Sequence, residues 1–358
     1  MKYLMATGIR IIIWRVMCTG ILLLHCGIIY AVDPTPHILI SVQYGSTIDQ
    51  LGIIMPAEDI PGDCPRTLVC DDAKNIYIGD RVNGKIKKYS AHGELLAATE
   101  GSLTNLQFFT VDSQGGVYVV CLDPTTCIYK FNNNENLVWK KHFSQLVTHE
   151  TETTLTTKYS LNIDGNIRNI SCVDKQYIIA EIGGRSQKDN SRKRLGIVID
   201  EAGNYLKTVA YIGSSNGRFY NYTTERMLNS ILPTVHMQWY NANGDQMANT
   251  ELILSKQIEI FQSVETGISR IIIDNNFNTY ILAYAIRKKP IVFTPTTAIR
   301  LDCIIAKYDA DGKFVASYRY EDSPFHTYAE NVAILNTGAV MYIAYKALKL
   351  QVMESYVK

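Results

Sequence analysis

A short unit of strands and turns recurs along the chain, and this unit limits the fold more than any other feature. Residues 75–96 read NIYIGDRVNGKIKKYSAHGELL. Residues 76–78 favour a pleated, half-buried strand, Asn83-Gly84 suits the tight turn of a hairpin, and later apolar residues open two further strands. Because three such short strands cannot bury a core alone, we expect the unit to recur and to stack on its copies.

Copies of the unit follow at regular intervals. Asp71 and Asp112 occupy the same place in an apolar-Asp-turn-apolar-Tyr pattern and lie 41 residues apart. This spacing fits the blades of a propeller. Fainter copies lie at residues 170–206, 236–245, 271–315 and 332–343. The sequence therefore predicts an all-β fold over residues 32–358, a six-bladed β-propeller of four-stranded antiparallel blades behind an N-terminal hydrophobic leader. Five or seven blades are the alternatives.

The ends of the chain are expected to close the ring together. After Tyr345 only residues 348–357 are left for the remaining strands of the last unit, while the alternating run at residues 37–42 stands alone before the first unit. We predict that this N-terminal run supplies the missing strand of the last blade, since a closed ring has no exposed edge strands.

The first unit also carries a recognisable set of residues. The set comprises Asn75-Ile76-Tyr77-Ile78 followed by Asp80, Asn83, Lys85, Ile86, Tyr89 and Gly93. It resembles the signature of the NHL-repeat family of six-bladed β-propellers. The resemblance implies that architecture for most of the chain. It implies no particular function, because members of the family bind RNA or cleave modified peptides, and it assigns no role to any residue.

Residues 1–31 differ in character from the rest of the chain. A positively charged start precedes residues 16–32, which contain no Asp, Glu, Lys or Arg. A run of this length lies between a signal-peptide core and the shortest membrane span, and Ala31 suits a cleavage site. Three readings stay open: a cleaved signal peptide, a retained anchor in which residues 11–32 tether the protein to a membrane, and a lipoprotein linked through Cys26. Each predicts export, with the body periplasmic, secreted or membrane-associated outside the cytoplasm.

Charge and composition exclude some classes of protein. The chain has 35 Lys and Arg against 34 Asp and Glu, whereas a nucleic-acid-binding domain carries a clear basic excess. A hydrophobic fraction of 47% with 23 tyrosines suits a β core and argues against disorder. We expect a folded protein with no nucleic-acid partner.

The cysteines beyond the leader predict one disulfide. Cys121 and Cys127 bracket a short turn, and residues that face each other across a hairpin are close enough to be bridged. Cys64 and Cys70 have the same spacing but no turn between them, and in an extended segment they lie too far apart.

No catalytic, metal-binding or cofactor-binding constellation is predicted. The histidines beyond the leader form no i, i+4 pair typical of a zinc hydrolase. Residues 213–217 match the letters of a nucleophile elbow, but residues after them favour a strand where that motif needs a helix. Asp309 opens a stretch similar to a calcium loop, yet Lys313 and Phe314 occupy positions that need an oxygen ligand and a glycine. Both stretches are interpreted as turns.

Two functions of different classes fit this picture. The first is a binding or scaffold protein that recognises a protein, peptide or glycan through loops on one face. The alternative is a metal-dependent enzyme of the lactonase or lyase type, with ligands converging on the central channel. The predicted inner-strand positions are apolar, and the recurring aspartates suit hairpin turns, which favours binding. These positions are Val111, Ile170, Ile272 and Ala333, and the aspartates are Asp71, Asp112, Asp174 and Asp274.

Two long polar segments are the candidate recognition loops. They run from Gly183 to Arg194 and from Lys140 to Tyr159, and both exceed the connections that a minimal blade needs. The first is basic and would favour an acidic partner through contacts that salt weakens. Its candidate binding residues are Arg185, Lys188, Arg192, Lys193 and Arg194. An equally open reading is a solvated loop that binds nothing.

Overall fold

A computed structural model gives the architecture of the chain. It describes residues 36–356 apart from 56–61, 148–160, 174–176, 189, 191, 216–217, 226–233, 242, 255–264, 287–300, 322–331, 336–337 and 346–348. Residues 37–358 form one compact unit. The leader, with its three readings, lies outside the described residues. Within them, no helix has the length and apolar character needed to cross a membrane.

The described chain is almost entirely β. Strand β1 spans His37–Gln43. Blade 1 contains β2 (Leu68–Cys70), β3 (Ile76–Asp80), β4 (Lys85–Tyr89) and β5 (Leu95–Ala98). Blade 2 contains β6 (Leu106–Val111), β7 (Val117–Asp123), β8 (Thr125–Phe131) and β9 (Leu137–His142), followed by the one-turn helix α1 (Phe143–Leu146). Blade 3 contains β10 (Leu161–Val173), β11 (Tyr177–Ser186), β12 (Arg192–Asp200) and β13 (Tyr205–Val209).

The second half of the chain repeats the arrangement. Blade 4 contains β14 (Gly213–Ser215), β15 (Arg218–Glu225), β16 (Thr234–Tyr240) and β17 (Gln246–Ile253). Blade 5 contains β18 (Glu265–Ile273), β19 (Thr279–Ile286), β20 (Leu301–Tyr308) and β21 (Phe314–Glu321). Blade 6 contains β22 (Val332–Ile334), β23 (Ala339–Tyr345), β24 (Lys349–Tyr356) and β1. Six four-stranded antiparallel sheets thus form from the described residues, which confirms the predicted six-bladed propeller.

The first strand of each blade lies at the centre of the ring. Strand β10 contacts β6 on one side and β14 on the other, and β2 contacts both β6 and β22. These strands therefore line a central channel. Val111, Ile170, Ile272 and Ala333 all lie on such inner strands, as predicted.

The N-terminal strand closes the ring. Strand β1 pairs antiparallel with β24, from His37 opposite Glu354 to Gln43 opposite Lys349, and is the outermost strand of blade 6. The predicted closure by the N-terminal run is confirmed. The last blade thus consists of three strands from one end of the chain and one from the other, so the ring cannot open without breaking this pairing.

The hydrophobic core lies between the blades. Six clusters of buried apolar side chains occur among the described residues, one at each interface between neighbouring blades. Middle strands are covered on both faces, and the first five residues of β7 are all buried. A strand buried on both faces reads as a continuous apolar run, which explains the VYVVC and AVMYIA segments of the sequence.

The recurring aspartates organise the turns after the inner strands. Asp71 Oδ1 accepts a hydrogen bond from the backbone N–H of Asn75 at 2.8 Å, and its Oδ2 accepts one from the Tyr77 hydroxyl at 3.1 Å. Asp274 repeats both contacts, with Asn278 at 2.9 Å and Tyr280 at 3.1 Å. Asp112 binds the backbone of its turn in the same way. The predicted role of these aspartates is confirmed for all three, whereas Asp174 lies outside the described residues.

Tyr77, Tyr280 and Tyr118, the corresponding residue of blade 2, each face a lysine on the next strand. Tyr77, Tyr118 and Tyr280 pair across the sheet with Lys88, Lys130 and Lys307, whose ammonium nitrogens lie 5.3, 5.3 and 5.7 Å from the ring centroids. Two of these lysines also reach a carboxylate of the following blade. Lys88 lies 3.9 Å from Glu135, and Lys130 lies 2.9 Å from Glu201. The motif therefore links successive blades as well as ordering each one.

A buried ion pair fixes the segment between β1 and blade 1. Lys87 Nζ lies 2.9 Å from Asp80 Oδ2, and both side chains are almost fully buried. Lys87 also donates to the carbonyl of Gln50, while Asp80 accepts from the backbone N–H of Gly52 at 3.0 Å and from the Asn83 amide at 2.9 Å. The Asp-x-x-Asn turn of the first blade thus has a local structural role. It holds Gln50 and Gly52 of the segment between β1 and β2 against blade 1.

We predict that the buried side chain of Ile40 on β1 stabilises the closed ring. Ile40 is 2% exposed and Ile38 is 55% exposed on the same strand. Ile40→Ala should lower the free energy of unfolding by about 2–5 kcal/mol, and Ile38→Ala by less than about 0.5 kcal/mol. Urea unfolding of both variants measures the difference. Equal, small effects would contradict closure by β1.

We predict that Asp80→Asn destabilises the protein by about 3–5 kcal/mol, because it leaves the buried ammonium of Lys87 without its counter-charge. Asp309→Asn is the matched control. Asp309 caps a partly exposed turn by accepting from Lys313 N–H at 2.8 Å, a bond that asparagine can also accept, so its effect should stay within about 0.5 kcal/mol. Thermal unfolding of the two variants gives the comparison, and an undiminished Asp80→Asn midpoint would refute the clamp.

Candidate functional site

A cavity of about 640 Å³ opens at one end of the central channel. Arg66 precedes β2 and Arg81 follows β3, and these strands run antiparallel, so the cavity lies at the end where the inner strands begin. We call this end the mouth. The cavity is lined by Arg66, Thr67, Arg81, Gln107, Phe108, Phe109, Val120, Leu122, Thr126, Asn166, Ile167, Arg168, Asn169, Glu181, Arg194, Ile212, Tyr220, Tyr222, Ser269, Arg270 and Ile271. Five blades contribute to it.

Positive charge dominates the lining. Five arginines face one carboxylate, that of Glu181. Behind the wall, Asp63 lies 3.3 Å from Arg66 and 3.5 Å from Arg81. Counting both carboxylates, the described part of the site keeps an excess of three positive charges.

Glu181 lies at the centre of the larger group of arginines. Its side chain is 5% exposed, and its Oε1 lies 3.3 Å from Nη1 of Arg194. Burial raises the pKa of Glu181 above its usual 4.5, while the positive charges of Arg194, Arg168 and Arg270 each oppose that rise. The ring therefore brings arginines of blades 3 and 5 together around one carboxylate. We call Glu181, Arg168, Arg194 and Arg270 the Glu181 cluster.

Tyr222 holds Arg194 in place. The Nη1 of Arg194 donates to the Tyr222 hydroxyl at 2.5 Å, and its guanidinium carbon lies 4.6 Å from the ring centroid. Burial raises the pKa of Tyr222 against the opposing charge of Arg194, so the hydroxyl stays protonated. The guanidinium is thus oriented both by a carboxylate and by an aromatic side chain.

Two glycines make room for cavity side chains. A Cβ on Gly183 would lie 1.9 Å from Nε of Arg168, and a Cβ on Gly213 would lie 2.5 Å from the hydroxyl of Tyr220. The Arg168 side chain therefore lies against the backbone of the neighbouring strand at Gly183. Any larger residue at 183 would displace it.

Polar atoms on the opposite wall lack protein partners. The Thr67 side chain is buried and its hydroxyl makes no hydrogen bond in the described structure, and the same holds for Nε of Arg66. Buried donors of this kind cost free energy unless something accepts from them. Arginine forks match carboxylate and phosphate groups geometrically, so the chemistry of this lining is that of anion binding.

The metal-dependent alternative finds no support in these residues. Among the described residues, no group of three or more His, Cys, Asp or Glu side chains is arranged to hold a metal ion. The nucleophile-elbow letters begin on β14, residues 216–217 lie outside the described residues, and β15 starts at Arg218, so a strand follows the letters, as predicted. Asp309 lies in the hairpin turn between β20 and β21, where its Oδ1 accepts from the backbone N–H groups of Asp311 and Lys313, also as predicted.

The basic segment from Gly183 to Arg194 is wrongly predicted as a loop. Strand β11 continues to Ser186 and β12 begins at Arg192, so only the tip between them is a turn. The strands continue because their backbone groups pair, Gly183 with Arg194 and Arg185 with Arg192. The apolar pattern of the sequence does not reveal such backbone pairing. We call residues 183–194 the basic hairpin.

The predicted binding residues of this hairpin divide into two groups. Arg185, Lys188, Arg192 and Lys193 are exposed near its tip. Arg194 is different, because it turns into the cavity and binds Glu181. The hairpin extends from the mouth, so the exposed group and the cavity lie on one face of the propeller.

The other candidate loop is described in part. Lys140 belongs to β9, α1 follows it, and residues 148–160 lie outside the described residues. Cys121 and Cys127 face each other across β7 and β8, as expected. Both are buried free thiols here, and Cys127 Sγ donates to the Cys121 carbonyl at 3.6 Å. The disulfide between them stays a prediction.

Sequence reasoning missed four arginines of the site, Arg66, Arg81, Arg168 and Arg270. Arg168 and Arg270 each stand shortly before the apolar residues of an inner strand, at Ile170 and Ile272. A charged residue on a strand that faces the channel is a signal that could have identified them.

Comparisons with known proteins give distant structural similarities. No family model matches the chain, and no curated protein matches it. A solved member of the DUF4221 family from Bacteroides vulgatus is 10% identical, covers 89% of this chain and 97% of its own, and has a TM-score of 0.45. A luciferin-regenerating enzyme is 11% identical, with coverages of 82% and 91% and a TM-score of 0.45. Kuenenia stuttgartiensis hydrazine synthase is 9% identical, with coverages of 82% and 80% and a TM-score of 0.43.

Similarities this weak carry no argument about function. The six-bladed architecture is given by the structure itself. Membership of the NHL-repeat family, implied by the resemblance of the first unit, is not confirmed, and the clamp formed by Asp80 and Asn83 gives that turn a local reason.

Proposed function

We propose that the protein is an exported binding or scaffold protein that captures an acidic peptide segment or glycan at the mouth of its propeller. The basic hairpin and the arginine-lined cavity form the recognition face. The sequence predicts a protein, peptide or glycan partner. The positive charge of this face favours partners of these kinds that carry negative charge.

One observation carries the proposal. Arg185 and Arg192 stand directly opposite each other in the hairpin, and like charges in that position destabilise a sheet. Lys188 in the turn and Lys193 on the other face of β12 are also exposed. A bound anion would relieve this repulsion, whereas a hairpin that serves only as a connection gains nothing from it.

The overall charge of the chain makes this concentration informative. With 35 basic and 34 acidic residues in total, the average patch of surface has almost no excess of either sign. The described part of the mouth instead combines an excess of three charges in the cavity with four exposed cationic side chains on the hairpin, whose sequence holds one acidic residue, Asp189. An acidic partner is attracted and oriented by such a patch, and salt weakens the attraction.

We predict that the hairpin cations bind acidic polymers. Replacing Arg185, Arg192 and Lys193 by serine should weaken binding of a fluorescent polyglutamate peptide and of polygalacturonate about tenfold or more at low ionic strength, with little change in stability. Arg194 is kept, because its loss would remove the ion pair of the buried Glu181.

The control variant changes the same net charge elsewhere. Lys207, Lys313 and Arg319 are exposed on or beside outer strands, and their replacement by serine should leave binding nearly unchanged. Fluorescence anisotropy for the peptide and competition for the glycan measure both variants. Equal losses in the two triple variants would show attraction by net charge alone and refute the proposal.

Export rests on the leader. We predict that cells expressing the full chain place its body outside the cytoplasm, and that a cleaved product begins at Val32. Fractionation followed by N-terminal sequencing tests both points, and an intact chain confined to the cytosol would exclude export. An uncleaved chain in the membrane fraction with a protease-accessible body would instead select the anchor reading.

A further inference from the structure

We infer that the cavity at the mouth is a binding site for a small organic polyanion, one that carries at least two carboxylate or phosphate groups. This inference rests on the proposed function in taking the mouth as the binding face, but it assigns a separate site below the hairpin. The ligand is identified by its charge and size.

The size of the cavity fits a small molecule. Its volume of about 640 Å³ falls within the range of about 300–1,000 Å³ that small-molecule sites occupy. A single inorganic anion would fill little of it. The lining includes aromatic side chains, Phe108 and Phe109 on one side and Tyr220 on another, which would pack against the frame of an organic ligand.

Cationic groups stand on separate blades around the channel. Arg66 and Arg81 belong to blade 1, and the arginines of the Glu181 cluster belong to blades 3 and 5. Counting the described residues alone, each group has more arginines than carboxylates, with Asp63 beside the first and Glu181 beside the second. Two separated centres of positive charge match a ligand with two anionic groups.

The wall of blade 1 adds donors that have no acceptor. The Thr67 hydroxyl and Nε of Arg66 are buried and have no hydrogen-bond partner among the described residues. Thr67 is 3% exposed, so bulk water does not readily compensate it. Both atoms are closed to solvent, so an anion in the cavity would reach them only after a small shift of the blade 1 wall.

Glu181 gives the inference a distinctive test. Its buried carboxylate already occupies the larger cluster of arginines and competes with any incoming anion. Removing that charge should therefore tighten binding, an effect that damage to the fold cannot imitate.

The experiment titrates the purified full chain at low ionic strength with citrate and with fructose 1,6-bisphosphate, which separate carboxylate from phosphate recognition. Trimethyl citrate has the same frame as citrate without its charges. Calorimetry should show binding of at least one of the two anions, no binding of the ester, and weaker binding as potassium chloride is added.

Four proteins are compared. Against the wild type, the double variant Arg168→Gln/Arg270→Gln should bind the anion at least about tenfold more weakly. Glu181→Gln should bind it about fivefold more tightly. Arg319→Gln removes an exposed arginine of the outer strand β21 and should bind as the wild type does.

Some results would overturn the inference. These are failure of both anions to bind at millimolar concentration, equal affinity in the Arg168/Arg270 double variant, or weaker binding by Glu181→Gln. No macromolecular partner is present in the assay, so its outcome is independent of the hairpin experiment. A chain that binds polyglutamate through the hairpin but neither small anion refutes the cavity site alone, and the reverse result refutes the proposed function alone.

Discussion

Pairing of β1 with β24 is the contact on which the rest of the molecule depends. Each blade buries its faces against its neighbours, so no blade has a complete core of its own. Such a ring is stable only when its last interface forms. The seven-residue strand β1 completes that interface, and the buried pair of Lys87 and Asp80 fixes the segment that leads from β1 into blade 1. Closure therefore combines backbone pairing with one buried charge contact.

Between the blades, a recurring polar arrangement supplements the apolar core. The tyrosines that donate to turn aspartates also lie under lysines, and two of these lysines reach a carboxylate of the next blade. Glu201 is largely exposed, so its ion pair with Lys130 contributes little stability by itself. Its effect is to fix orientation, because a lysine held by a ring and a carboxylate together has few alternative positions. The blades are thus locked in register by contacts that the apolar clusters do not specify.

The sequence predicts the fold well because each blade repeats local signals. Apolar runs such as residues 76–78, aspartates before the second strand and Asn83-Gly84 turns are all readable without tertiary information, and the unpaired run at 37–42 suggests the closure. The site is much less predictable. Its arginines are spread from residue 66 to residue 270, and only the ring brings them together. The sequence does not predict the long hairpin of β11 and β12, because backbone pairing extends β11 to Ser186 and apolar alternation does not.

A closed ring can maintain what a looser fold would relax. Arginines gathered around Glu181 repel one another, and an open sheet would relieve that repulsion by letting strands separate. Here Arg168 lies on the backbone at Gly183 and Arg194 is held by Tyr222, on blades that are packed on both sides. Functional sites commonly keep such unfavourable arrangements at the expense of stability gained elsewhere. The repulsion at the mouth is thus a consequence of closure, since inner strands that cannot move apart keep these charges close together.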